Sequence, residues 1–553
     1  MSFQLSKTNI HYLIAWWLIS LYQLKSFSIA MASIKITQLN VLLVEHHKPS
    51  KDELKKQLIA LGVEQVFSVS NGSDLLAQVN DLRADLIIFG FDLGDALRGT
   101  DLLRYMIRSR LLPTWIPVAF ITEKPEQVLA DLPFRILPTP VLEKPVANQK
   151  LHTLLKQSLL LINTTRPLLK GAYGEQCLLP GSAILETSVE ALPAALQDVI
   201  LTLKIMNLMH NNQAEKARTL ALQINSEQRR FEWLLNLVYA LGDTDQLLKL
   251  QQQLQQASLL PRKRVLYQMR LLQQRQQYKG MLALCDSMDD NRHSPHEISL
   301  KAVLLYKVQG YTAADTYLDS KSPSRQDPYA SNVLILWRIT LALLQSLNHP
   351  EVSALKSGLL HFSEQLQWHK GAVDFTRFAD FTQLALKAMD NKPEVKDALT
   401  HLQQNSREFD VFQSLLLAYL AIKMAHPSAS LWLFSADNKL AQMYVSAERL
   451  SAGTAHSLLF EHIYPQQAAK SAVYNHWGRK YVELKQHYRA LNMFYKAWRC
   501  SPDTPRYPLN LLHSMQGLEL NQFWDCDKPL LLQHIRSLPL TDKERISLNK
   551  LSV

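Results

Sequence analysis

The chain has 553 residues, 60 Lys and Arg against 49 Asp and Glu for a formal net charge of +11, and four cysteines. That length suits about two to four domains, each able to bury a sizeable core. Cysteines at 177, 285, 500 and 526, with no C-x-x-C pair, exclude a zinc ribbon and a disulfide framework and point to a reducing compartment, and a basic excess without a long like-charge block reads as a solvated surface, not a dedicated nucleic-acid groove.

In chain order, the first feature is the apolar and aromatic segment 10–24 (IHYLIAWWLISLYQL), flanked by Lys7 and Lys25. It is short for a transmembrane span, which needs about 20 residues, and close to a signal-peptide core, with Ser28-Ile29-Ala30 resembling a cleavage site. Three readings stand: a true start at Met31, a membrane anchor, or a cleaved signal. The start at Met31 is preferred, because Met31-Ala32-Ser33-Ile34-Lys35-Ile36 leads almost at once into a strand. Residues 1–35 are therefore set apart as an extension. The expected location is cytoplasmic, with a membrane as partner only if 10–24 is retained.

Residues 36–162 carry short apolar runs that each end in a polar group. Asn40–His47 (NVLLVEHH) closes on Glu45-His46, and Asp85–Gly94 (DLIIFGFDLG) reads as a buried parallel strand entering a turn. Later runs end in Thr122 and in Lys144-Pro145, and Val146–Leu161 has the spacing of an amphipathic closing helix. Such a series describes an α/β doubly wound sheet with a site on its C-terminal rim. From about residue 38 to 160 it resembles the receiver domain of two-component response regulators, which implies a flavodoxin-like, five-stranded parallel sheet.

The resemblance also implies a set of roles. An acidic pair after the first strand would bind Mg²⁺, and an Asp ending the third strand would take a phosphoryl group. A Thr or Ser on the fourth strand would sense it, and a Lys before Pro on the fifth would hold it. Thr122 and Lys144 fit these roles. The acidic pair is Glu45-His46, the acceptor position is Gly90, and the aromatic switch position is Val141. Gly90 offers no nucleophile, and a His nitrogen is a poor ligand for a hard cation, so no phosphorylation and no Mg²⁺ are expected. The alternative is an active phosphoacceptor at Asp92, working with Glu45 and Mg²⁺. Asp92 shares the strand face of position 90 but lies about 6–7 Å further along. Lys144 is expected to pair with Glu45 or Asp92. His46-His47 is read as a polar turn, since adjacent side chains at a strand end point apart.

Residues 163–192 hold Gly and Pro at intervals and read as a linker; 193–553 is helical in pattern throughout. Breaks are expected at His210-Asn211-Asn212, Gly242-Asp243, Ser294-Pro295, Asn348-His349-Pro350 and Asn391-Lys392-Pro393, with no useful strand pattern. Repeated helix pairs suggest an α-solenoid. In 471–504, Tyr474, Trp477, Gly478, Tyr481, His487, Ala490, Phe494, Ala497 and Pro502 resemble the tetratricopeptide (TPR) repeat. Small Gly478, Ala490 and Ala497 would let helices approach, Trp477, Tyr481 and Phe494 would fill the space between them, and Pro502 would stop the second helix. One subgroup of receivers with a Phe91-Asp92-Leu93-Gly94-like turn carries such a region.

The Gln-rich segment 251–277, with Arg262-Lys263-Arg264, Arg270 and Arg275, is read as a solvated face and not an RNA site, because interleaved aromatics are missing. No phosphate-binding loop, H-E-x-x-H or G-x-S-x-G motif occurs, so no enzyme is expected. The reading is a phosphorylation-independent adaptor in a two-component-type phosphorelay. Its expected partners are proteins: a histidine kinase, another receiver, or a peptide or helix in the TPR groove. A nucleic-acid-binding regulator using the basic helical region is the further alternative.

Overall fold

A computed structural model describes residues 34–173 and 194–551, apart from short segments at 79–82, 95–97, 109–111, 114, 133–134, 212, 257–260, 289–293, 322–327, 349–355, 362–372, 405–408 and 444. Both the apolar segment 10–24 and Cys177 lie outside the described residues. Among the described residues no helix is long and apolar enough to cross a membrane.

The first domain alternates strands and helices: β1 (Asn40–Val44), α1 (Lys48–Ala60), β2 (Gln65–Val69), α2 (Gly72–Gln78), β3 (Leu86–Gly90), α3 (Gly99–Arg108), β4 (Val118–Thr122), α4 (Pro125–Asp131), β5 (Val141–Glu143) and α5 (Asn148–Tyr173). The strands form one parallel sheet in the order β2-β1-β3-β4-β5, with Val41 beside Leu86 and Ile87 beside Val118. The continuous apolar runs have a simple cause, since a strand covered on both faces must be apolar at every position. Alternate residues serve opposite faces. Val41, Leu43, Leu86, Ile88 and Ile121 pack with Leu54 and Leu58 of α1 and Leu151 and Leu155 of α5. Leu42, Val44, Ile87, Phe89 and Phe120 pack with Leu102 and Leu103 of α3 and Val128 of α4. The sheet is thus the doubly wound receiver fold that the sequence implies.

α5 continues to Tyr173, well past the expected closing helix, although Pro167 and Gly171 signal a break in sequence. Its extension is anchored to the domain. Arg166 pairs with Asp85 at 2.8 Å, and the Asn163 side chain exchanges hydrogen bonds with the backbone of Ile34 at 3.0 and 3.2 Å.

From Ala194 onward the described chain is helical, and the expected breaks coincide with helix ends at His210, Leu241, Asn348 and Met389. Ser294 caps the helix Pro295–Gln309 in a reciprocal capping box with Glu297. A tight turn then recurs with a fixed period. Gly242, Gln276 and Gly310 have positive φ and stand 34 residues apart; so do Asn391 and Ala425, and Lys485 and Glu519. In most of these turns the next amide reaches back five residues, as in Asp243 to Val238, Gln277 to Leu272, His426 to Ala421 and Gln486 to Tyr481. Exposed Ala425, at φ 49°, holds a left-handed conformation that costs an L residue free energy. Ala425→Gly should therefore raise stability by about 0.5–1 kcal/mol in chemical denaturation. A loss of stability would contradict that backbone assignment.

The pair Gln467–Glu483 and His487–Cys500 contains the residues of the repeat signature. Trp477, Tyr481, Ala490, Phe494 and Ala497 are all buried, while Pro502 follows the second helix in an exposed turn. Gly478 meets Phe494 so closely that a β-carbon would stand 2.4 Å from the ring. The closest approach therefore involves a side chain from one helix set against bare backbone of the other.

Three features depart from the sequence reading. A short antiparallel hairpin, Gln522–Phe523 with Cys526–Asp527, interrupts the helices; two-residue strands leave no periodic trace. The helical region also folds back on itself. Ala214 N donates to the Tyr488 hydroxyl, Trp524 N donates to Gly242 O at 2.7 Å, and Lys307 pairs with Glu461 at 2.5 Å. Part of its inner surface is consequently lined by its own C-terminal helices. Finally, the face at 270–274 is not solvated. Gln273 is buried and donates to Leu450 O at 2.8 Å and to Thr454 at 3.0 Å, contacts that need residues nearly two hundred positions away.

Candidate functional site on the rim of the receiver-like sheet

β1, β3, β4 and β5 end side by side, and the residues singled out in sequence meet at that rim. Glu45 follows β1 and is 2 % exposed. Its Oε1 accepts from His47 N at 2.9 Å, and its Oε2 lies 2.9 Å from Lys144 Nζ. The second approach is ionic and not a directed hydrogen bond. Lys144, just after β5, precedes Pro145 through a cis peptide bond. Of its two expected partners, Glu45 is the one it meets.

Gly90 ends β3 beside Ile121 of β4. A β-carbon there would lie 2.9 Å from Glu45 Oε2 and 3.4 Å from Asp92 O. Glu45, one methylene longer than Asp, thus places its carboxylate where a side chain at position 90 would begin. Gly99, at the start of α3, must lack a side chain for packing, because a β-carbon there would lie 2.3 Å from the Gly90 carbonyl.

Thr122 ends β4, is 5 % exposed, and accepts from Lys124 N at 3.1 Å through its hydroxyl. Asp92 is exposed, and its Oδ1 accepts from Gly94 N at 2.9 Å, closing a turn. The alternative acceptor is therefore outside the buried Glu45–Lys144 pair. His46 lies against Gly94, where φ is +86° and a β-carbon would be 2.3 Å from the imidazole. This contact could not be read from sequence spacing.

For a divalent cation, the donor set is poor. One buried carboxylate is neutralised by Lys144, and the second acidic position holds an imidazole packed on a turn. Among the described residues no group of three or more His, Cys, Asp or Glu is placed to hold a metal ion.

Next to this rim, the face formed by α4, β5 and α5 is covered by the helical region. Arg229 donates to Arg135 O at 2.9 Å and Gln228 to Leu129 O at 3.2 Å. Ile136, Leu137 and Leu161 form one apolar cluster with Leu196, Val199, Ile200 and Leu203. Val141, in the aromatic switch position, lines a cleft of about 360 Å³ at this junction. Arg135 is buried there, and that burial, reinforced by the nearby Arg229 charge, pulls its guanidinium down to about 9.

None of the curated proteins compared with this chain matches it. Residues 41–156 match the family described as response regulator receiver domain. With the parallel sheet order and the rim just described, residues 41–156 are a response regulator receiver domain, joined to an all-helical C-terminal region and supporting a role in two-component signalling.

Proposed function

We propose that this protein is a cytoplasmic, phosphorylation-independent adaptor in a two-component-type phosphorelay, acting by protein binding and not by catalysis. The observation that carries the reading is the Glu45 carboxylate. It sits within 2.9 Å of the place a side chain at position 90 would start, and Lys144 already neutralises it. A receiver normally gains charge in this pocket and responds to it; here the charges are closed upon each other beforehand. Neither a nucleophile at 90 nor a ligand set for Mg²⁺ remains.

The 34-residue recurrence of the left-handed turns, with the packing of Gly478, Ala490 and Phe494, supports a TPR-like helical region. Because one receiver face packs against the helical region, partners such as a histidine kinase or another receiver would meet its remaining surfaces, and a peptide or helix would meet the helical region. A nucleic-acid role is disfavoured by pairing of basic side chains with acidic neighbours, as in Lys263–Glu232, Lys301–Asp286 and Lys307–Glu461.

Incubation with acetyl phosphate and Mg²⁺, followed by intact mass measurement, should show no added phosphoryl group. Gly90→Asp should not restore switching, since His46 and Val141 are unchanged. Stoichiometric labelling that disappears in Asp92→Asn would overturn the reading in favour of an active acceptor.

A further inference from the structure

Where the helical region closes on itself it leaves a cavity of about 630 Å³, bounded by the helices Pro261–Gln274, Ala429–Gln442, Ala447–Ile463, Gln467–Glu483 and His487–Cys500. Its size is that of a small-molecule site. Its charge is unusual. Arg270, Arg275, Arg449, Arg489, Arg499 and Lys496 line it, against the two carboxylates of Asp437 and Asp525, six cations to two anions.

The acids do not balance the cations. Asp437 accepts from the Tyr481 hydroxyl at 2.8 Å. Burial would push its carboxyl up, but Lys496, His456 and Arg489 outweigh that and hold it below its ordinary value. Asp525 pairs with Arg499 at 3.3 Å near the mouth. Deeper in, Arg449 is 7 % exposed; its Nε donates to Leu440 O at 2.9 Å, while its Nη1 is buried with no hydrogen-bond partner. Arg270 donates from Nη1 to Gln273 at 2.6 Å, and its Nε is likewise buried and unbonded. Lys496 makes no hydrogen bond among the described residues, and its ammonium lies 5.5 Å from the centroid of the Tyr474 ring. Burial, reinforced by the charge of Arg270, lowers the Arg449 guanidinium to about 9.

A fold gains nothing by burying cations whose donors are left unmatched. Guanidinium groups and an ammonium lining one cavity are the chemistry that receives phosphate oxygens, which carry up to two charges and several acceptors per group. The volume exceeds what one inorganic phosphate fills. We propose that this cavity binds a phosphate-bearing small molecule of nucleotide size, held by Arg270, Arg449 and Lys496. The residues of this site are distinct from those of the receiver rim.

The test uses the full chain and isothermal titration with ATP, AMP and inorganic pyrophosphate, beside a Glu-rich peptide of equal charge. Binding of ATP or AMP more tightly than pyrophosphate supports a nucleotide-like ligand; binding of pyrophosphate alone supports the phosphate assignment but removes the organic part. Lys496→Met and Arg449→Met should each weaken binding by about tenfold or more. Circular dichroism of each ligand-free variant establishes that it remains folded. Arg275→Gln serves as a milder variant should either of these fail to fold. Preference for the peptide, no heat with any phosphate probe, or unchanged affinity in the folded variants would overturn the proposal.

Discussion

Lys144→Met is expected to destabilise the receiver domain by about 3–5 kcal/mol, since it leaves a buried carboxylate without its counter-charge. Glu45 is 2 % exposed, and Lys144 is the cation that faces it, at 2.9 Å. His47 N satisfies one carboxylate oxygen but brings no full charge. The effect belongs to the pair and not to the lysine alone. Glu45→Gln combined with Lys144→Met should return stability to within about 1 kcal/mol of the parent, because neither partner is then an isolated ion. Hydrogen exchange resolved on receiver peptides, with urea unfolding, reads both values. If Lys144→Met costs less than about 1 kcal/mol, the pair is not the closed, buried neutralisation on which the adaptor reading rests.

The receiver was legible because a doubly covered parallel strand has to be apolar at each position, and its rim residues have to follow directly. Val41 to Val44, Leu86 to Phe89 and Val118 to Ile121 obey that rule, and Glu45, Gly90, Thr122 and Lys144 fall at the strand ends they had to occupy. What spacing could not convey was the contact between rim residues. That Glu45 fills the space beside Gly90, and that His46 rests on Gly94, depend on side-chain reach across strands.

In the helical region, legibility followed residue type. Gly242, Ser294 and the Asn391 turn announce themselves, whereas the same left-handed turn at Gln276, Ala425, Lys485 and Glu519 uses residues with no turn preference. The period of 34 is consequently plain in the backbone and faint in the letters. The cavity was hidden for another reason. Arg270 and Gln273 have the spacing of an exposed face, and only the return of the chain at 449–500 converts that face into an interior.

That return can be tested at one residue. Gly242 ends the helix Glu227–Leu241 with φ +65°, and an added β-carbon would stand 2.8 Å from Phe523 and 2.9 Å from Trp524 N. Two costs therefore coincide in Gly242→Ala. A non-glycine residue in the left-handed region costs about 1–2 kcal/mol, and overpacking against a fixed neighbour adds about 1–3 kcal/mol. The clash is not relieved cheaply, because one of the atoms is backbone and Phe523 is itself buried, beside Tyr495 at 5.7 Å between ring centroids. Trp524 N also donates to Gly242 O at 2.7 Å, so moving the hairpin away sacrifices that hydrogen bond as well. The expected outcome is a loss of about 2–5 kcal/mol, with faster hydrogen exchange at 239–243 and 522–527 and an unaltered receiver. Ala425→Gly, which relieves the same backbone conformation without such a neighbour, should move stability the opposite way. Equal stability of Gly242→Ala and the parent would mean that the seam between Leu241 and the C-terminal hairpin does not close in solution, and the return of the C-terminal helices onto the earlier ones at this point would have to be abandoned with it.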